Sequence, residues 1–324
     1  MTESTFPRSP LVIHVGFPKT ATSTWQQNVF SRFEGALYLG MPFTDQKIES
    51  VCQDIQRLDS LCFDKKYPNS EFTQYLDSLC STGKPVLLSN EVFTKREDGM
   101  AVPGVSDMGD VARRIRDAFG KAHIVLSIRK QEDCIPSFYL QYAYRYFRSG
   151  YLMKFNEYFR RHKQRGGRSI MADVDYWSII EKYRHIFDPE NVTVLVFEEF
   201  VSNPERYAKR MARVLDCESQ QLLELINAPE KKVVNARVSQ KSYLYMRFVS
   251  DFVPIKLRNL FQRIIPNRQQ EKFRNAINRG PKANIQMNDE QVTFLHDLLS
   301  EGNRRIEQEY DIDLRQYGYT VKDT

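Results

Sequence analysis

The stretch Leu11-Val12-Ile13-His14-Val15-Gly16-Phe17-Pro18-Lys19-Thr20-Ala21-Thr22-Ser23-Thr24-Trp25 decides how this chain folds. Residues 11–16 form a short apolar, β-branched run that stops at a turn, the pattern of a strand buried in a parallel sheet. Trp25, Val29 and Phe33 then recur at helical spacing, so a helix is expected over residues 21–33. A turn between a buried strand and a helix collects amides with no partner at the positive end of the helix dipole. Such a turn binds anions. Lys19 adds a full charge, and the hydroxyls of Thr20, Thr22, Ser23 and Thr24 add donors.

Further buried strands are expected over residues 85–88, 123–128 and 191–197. Helical patterns fall over 107–119, 133–147, 151–162, 176–187, 204–215 and 289–310. Short apolar strands alternating with amphipathic helices specify an α/β fold, with a central parallel sheet flanked by helices on both faces. The region from about 230 to 324 reads as a helical C-terminal extension of one domain covering residues 1–324.

Composition bounds the rest. The chain has 324 residues, 41% of them hydrophobic and 27% charged, ordinary values for a globular protein with a sizeable core. Its net charge of +6 suits an anionic ligand or surface and is too small to indicate nucleic acid. Residues 1–10 are polar and lack the pattern of a signal peptide, and no apolar run approaches a membrane span. The five cysteines are scattered, with no C-x-x-C pair, and the histidines lack metal-ligand spacing. These features predict a cytoplasmic protein without a metal centre.

The nucleotide-triphosphatase pattern G-x-x-x-x-G-K-[ST] is P-loop-like in position but not in residues. With Gly16 as the first glycine, Ala21 stands at the second and Thr22 at the lysine. The lysine lies inside the turn instead, at Lys19, which disfavours a kinase or ATPase. Pro18-Lys19-Thr20-Ala21-Thr22-Ser23 closely resembles the 5′-phosphosulfate loop, P-K-[ST]-G-T-[ST], of sulfotransferases that use 3′-phosphoadenosine 5′-phosphosulfate (PAPS) and release 3′-phosphoadenosine 5′-phosphate (PAP). The resemblance implies that Lys19, Thr20, Ala21, Thr22, Ser23 and Thr24 grip the 5′-phosphate and sulfuryl oxygens through side chains and amides. Ala21 replaces the usual glycine. Alanine would be strained at positive φ, so the loop is expected to enter helical geometry there.

The same family places an arginine after an inner strand and a serine eight residues later, both on the 3′-phosphate. Arg129 follows Ile124-Val125-Leu126-Ser127-Ile128, and the eighth residue beyond is Ser137. The planar fork of arginine suits phosphate oxygens, and Ser137 is expected near the start of the next helix. Asn235-Ala236-Arg237-Val238-Ser239 resembles the N-x-x-x-S stretch of bacterial-type members; the R-K-G loop by which animal members of the family close over the cofactor is not evident, and Arg237, Ser239 and Lys241 are the candidates to take its place.

Sulfuryl transfer depends on positioning and electrostatics, with Lys19 offsetting charge on the donor, and a hydroxyl acceptor needs a base. The candidate base is Glu91, which follows the strand ending in Leu87-Leu88 and resembles the S-x-E glutamate of glycan and bacterial sulfotransferases. His14 lies inside a strand and His123 opens one, so both read as structural.

An aromatic and arginine-rich region from Tyr142 to Arg161 suits either core packing or a cleft for sugar rings and anionic groups. The resemblance implies a carbohydrate or glycolipid acceptor, with a small hydroxylated metabolite as the alternative. Residues 252–266 are basic and amphipathic, the pattern of a helix lying on a membrane surface or of a solvated basic face. The readings that stand against a sulfotransferase are a P-loop kinase and a basic membrane or nucleic-acid adaptor.

Overall fold

The structure, a computed structural model, describes residues 10–17, 19–94, 108–166, 169–228, 238–264 and 266–323. Among the described residues five strands, β1 (Leu11–His14), β2 (Leu37–Tyr38), β3 (Val86–Ser89), β4 (His123–Ile128) and β5 (Val192–Val196), form one sheet in the order β2-β3-β1-β4-β5. Every neighbouring pair is parallel. The α/β expectation holds, and four strands lie where the apolar runs put them. The two-residue β2 lies in the run Ala36-Leu37-Tyr38-Leu39, which is too short to mark a strand by pattern alone.

The chain divides into two compact units. The first comprises residues 1–130, 172–232 and 298–324 and holds the whole sheet; the second comprises residues 131–171 and 233–297.

In the first unit both sheet faces are covered, because every inner strand is apolar on both sides. One face presents Val12, Leu87, Val125 and Leu195 to Trp25, Val29 and Phe30 and to Tyr207, Ala208 and Met211 of the helix Pro204–Leu215. The helix Tyr176–Phe187 packs on β4 and β5, and the helix Met108–Phe119 packs against it. Trp25 is fully buried among Phe30, Phe200 and Tyr207, whose ring centroids lie 5.1–5.7 Å away.

The segment after the loop is helical but irregular. An α-turn (Thr22–Thr24) passes into a π-helix (Trp25–Val29) and a 3₁₀ turn (Phe30–Arg32). Its start also differs from expectation: Ala21 has φ 62° and ψ 16°, so the residue before the helix is left-handed rather than helical.

The second unit is helical. Gln131–Arg148 and Phe155–Arg165 pack against each other, and Gln240–Phe252 packs on Gln131–Arg148 and Asn267–Ile277. Its centre is aromatic: Tyr139 lies 5.4 Å from Phe155 and 5.2 Å from Tyr158, and Tyr158 lies 4.3 Å from His162. Most of the Tyr142–Phe159 aromatics are therefore core, with Tyr144 and Tyr151 exposed.

Candidate active site

Three adjacent strands deliver the charged candidates to one edge of the sheet. β1 leads into the Lys19 turn, β3 into Glu91 and β4 into Arg129, with β3 and β4 flanking β1. In an open α/β sheet, ligands bind beyond the carboxyl ends of the strands where the winding direction changes. Here it changes at β1.

The turn has the form of an anion cradle. Lys19 (φ 74°) and Ala21 (φ 62°) are both left-handed, a backbone pattern that turns successive amides toward one side. Thr24 and Trp25 donate their amides back to the carbonyl of Ala21 at 2.9 and 3.1 Å, closing the first helical turn. The hydroxyls divide by direction. Thr20 and Thr22 are buried, 3.1 Å apart, and Thr20 Oγ1 donates to Phe17 O at 2.5 Å, so both hold the loop's own shape. Lys19, Ser23 and Thr24 stay partly exposed. A Cβ on Gly16 would meet Thr22 Oγ1 at 2.6 Å and the His14 ring at 3.0 Å, so no side chain fits there.

Arg129 is built into this turn. Its Nη1 donates to the carbonyl of Lys19 at 3.1 Å, its guanidinium lies 4.8 Å from the Phe197 ring, and Tyr176 Oη donates to its carbonyl at 2.8 Å. Its Nε–H is buried with no hydrogen-bond partner. The next amide, of Lys130, donates to Glu198 Oε1 at 3.0 Å, and Tyr319 Oη donates to Glu198 Oε2 at 2.9 Å. Burial raises the pKa of Glu198.

Glu91 opens a 3₁₀ turn (Glu91–Thr94) and is half-buried. That turn is tied to the loop, because Thr94 Oγ1 donates to Gly16 O at 2.9 Å and lies 3.2 Å from Glu91 O.

Beneath the cradle runs a buried polar chain. Gln26 Nε2 donates to Ser89 Oγ at 3.1 Å, Ser89 Oγ lies 2.9 Å from His14 Nδ1, His14 Nε2 lies 3.0 Å from Ser127 Oγ, and Ser127 Oγ lies 3.1 Å from Tyr207 Oη. Burial pulls the His14 pKa down to about 3, so the ring is neutral, with one nitrogen donating and one accepting. With Gln26 as the first donor, Ser89 donates to Nδ1, and Nε2–H donates to Ser127. The chain pins β3 two residues before Glu91 and β4 two residues before Arg129.

A family model described as a sulfotransferase domain matches residues 10–248. The chain belongs to the sulfotransferase family. It is a transferase of sulfuryl groups. Among solved structures, a sulfotransferase from Alicyclobacillus acidocaldarius is 14% identical with a TM-score of 0.52, covering 96% of this chain and 99% of its own. A mouse sulfotransferase in complex with PAP is 12% identical with a TM-score of 0.45, covering 96% of this chain and 90% of its own. No curated protein matches.

The residues of this sulfotransferase fit a phosphosulfate donor: a left-handed turn, a lysine within it, a glycine where no Cβ fits, and an arginine whose buried Nε–H lacks a partner. Lys19 through Thr24, Arg129 and Glu91 all lie at the strand ends of the first unit. Ser137 belongs to the second unit, where it is half-buried. It stands in the second turn of Gln131–Arg148 rather than near its start, because the helix begins directly after Lys130. Only the first four amides of a helix lack partners, so Ser137 is too far along to join them. Ser239 caps the helix Gln240–Phe252. Its buried hydroxyl accepts from the Ser242 amide at 3.0 Å and donates to Ile277 O at 2.7 Å. Arg237 lies outside the described residues.

The sequence did not single out Gln26, Ser89, Ser127 and Tyr207. The one signal available for the two serines was a polar residue recurring near the carboxyl end of each inner strand (His14, Ser89, Ser127). His14 is the satisfied core histidine expected, and His123 Nε2 lies 2.8 Å from Thr193 Oγ1 at the opposite end of β4.

Proposed function

We propose that this enzyme transfers the sulfuryl group of PAPS to a hydroxyl of a carbohydrate or glycolipid, with Glu91 as the base. The observation that carries it is the arrival of Lys19, Glu91 and Arg129 at the ends of three neighbouring parallel strands. When bound, PAPS supplies an activated sulfuryl group on a good leaving phosphate. The amides of the 19–23 turn and the hydroxyls of Ser23 and Thr24 hold its 5′-end, and Lys19 offsets negative charge on the departing phosphate oxygen. Arg129 holds the 3′-phosphate, and the assignment of Ser137 to the same group rests on the family resemblance alone. Glu91 takes the proton of the acceptor hydroxyl as the new S–O bond forms.

The closing role of the helical region from about residue 230 rests on the family resemblance of residues 235–239. The glycan reading is supported by the S-x-E form of Ser89-Asn90-Glu91 and by the partly exposed tyrosines Tyr144 and Tyr151, which suit sugar stacking. A small hydroxylated metabolite or an amine would use the same machinery. All five cysteines are free, which suits a reducing compartment such as the cytoplasm. Residues 252–266 are the proposed point of peripheral contact with the inner membrane surface.

Calorimetric titration with PAP, followed by sulfate transfer from PAPS to a panel of glycans, glycolipids and small phenols, tests this reading. Saturable PAP binding with transfer to the glycans or glycolipids supports it. Transfer to phenols alone overturns the acceptor assignment, and absence of PAP binding overturns the site.

A further inference from the structure

Of the fourteen most exposed large apolar side chains among the described residues, nine fall between Leu244 and Phe273, all in the second unit. On Gln240–Phe252, Leu244, Phe248 and Phe252 are spaced four apart, so they lie along one face. They are 55%, 61% and 73% exposed. The next helix, Ile255–Ile264, exposes Ile255, Leu257, Leu260 and Ile264. The two helices are joined by only Val253 and Pro254, and Ile255 also packs at the position of Gly150, where a Cβ would meet it at 2.0 Å. Ring contacts extend the patch: Phe248 lies 5.1 Å from Phe252, and Tyr245 lies 5.2 Å from Phe273.

The charge of the chain is concentrated in the same place. Residues 240–277 contain eight lysines and arginines against two acidic residues, a surplus of six that equals the net charge of the whole protein. Lys241, Lys256, Arg268 and Lys272 are exposed. Arg258 donates to Gly150 O at 2.5 Å, while its Nε and Nη1 are buried and lack hydrogen-bond partners.

We infer that this face is an interfacial docking surface for an anionic phospholipid bilayer. Apolar side chains at helical spacing, flanked by long basic ones, are the composition of helices that lie in the headgroup plane. The apolar groups enter the acyl boundary and the cations meet phosphate and carboxylate headgroups. A second copy of this chain is a poorer occupant, because a two-fold contact sets the same surface against itself and would bring basic residues face to face. The surface goes beyond the single segment 252–266, since the evenly spaced stripe of Leu244, Phe248 and Phe252 lies on the preceding helix. Among the described residues no helix is long and apolar enough to cross a membrane, so the contact is peripheral. It stands on the surface alone and holds whatever the acceptor proves to be.

Flotation of the full chain with phosphatidylcholine vesicles, with and without phosphatidylserine, tests the inference. Binding is expected only with phosphatidylserine and should weaken as salt is raised. Phe248→Ser/Phe252→Ser and Lys256→Glu/Lys272→Glu should each lower it about 10-fold or more. These side chains are exposed, so the variants should keep the wild-type thermal melt and PAP affinity, which keeps failure to dock distinct from failure to fold or to bind donor. Absence of binding to phosphatidylserine vesicles by the folded wild type overturns the inference. So does undiminished binding by both variants, or a dimer in sedimentation velocity that Phe248→Ser/Phe252→Ser dissolves.

Discussion

Arg129 Nη1 donates to the carbonyl oxygen of Lys19 at 3.1 Å, joining residues 110 apart in sequence. The carbonyl belongs to a left-handed residue, and the arginine reaches it from the strand beside β1. The two cationic side chains proposed to hold opposite ends of the donor are thereby set on one small piece of backbone.

Both charges should therefore be needed for donor binding. Lys19→Ala removes a charge from the turn. Arg129→Ala removes a charge and also the brace on the Lys19 carbonyl. Each should weaken PAP binding about 10- to 100-fold, from the worth of charged hydrogen bonds. Arg129→Lys should recover little, since an ammonium lacks the planar fork. Calorimetry on the three variants reads this directly, and wild-type affinity in Arg129→Ala would remove Arg129 from the site.

Glu91→Gln separates chemistry from binding. With the base lost, kcat should fall about 10²- to 10⁴-fold, while PAP affinity stays within a factor of a few, because Glu91 is not assigned to the donor. Steady-state kinetics beside calorimetry distinguishes the two. An unchanged kcat would move the base elsewhere.

His14 predicts a pH dependence of stability. Its folded pKa is about 3, below the ordinary 6.5, so the unfolded chain takes up a proton that the folded chain refuses. The neutral ring's contribution is intact above about pH 6.5. It erodes by up to about 1.4 kcal/mol per pH unit as pH falls toward 3. Urea denaturation at several pH values should show that slope in wild type and a shallower one in His14→Asn. Equal slopes would mean that His14 is not the group responsible.

The left-handed alanine invites relief. Ala21→Gly removes a Cβ from a φ 62° residue and should stabilise the fold by about 1 kcal/mol. Ala21→Val should destabilise it by more. Thermal melts order the three proteins, and a glycine variant less stable than wild type would contradict the strain.

Trp25→Ala tests the packing beneath the loop. Removing a fully buried indole from among Phe30, Phe200 and Tyr207 should cost about 3–5 kcal/mol. Denaturant unfolding measures it, and a cost below about 1 kcal/mol would mean that the cluster refills the space.

Local pattern alone determined the parallel α/β sheet, the strand that feeds the Lys19 turn and the arginine that follows β4. Buried parallel strands are contiguous apolar runs, and an anion loop must follow one of them, so both are written in neighbouring residues. Tertiary structure decided the rest, because it depends on pairing between distant segments. Only the strand order puts β3 and β4 beside β1, and with that order Arg129 and the turn that Glu91 opens are tied to the loop. The inward turn of Thr20 and Thr22, the left-handed Ala21 and the five-residue chain through His14 arise from where Phe17, Ser89, Ser127 and Tyr207 arrive in space. The exposed stripe of Leu244, Phe248 and Phe252 follows the same rule. Its spacing was in the sequence, but only the packed fold determines which apolar face is left without a partner.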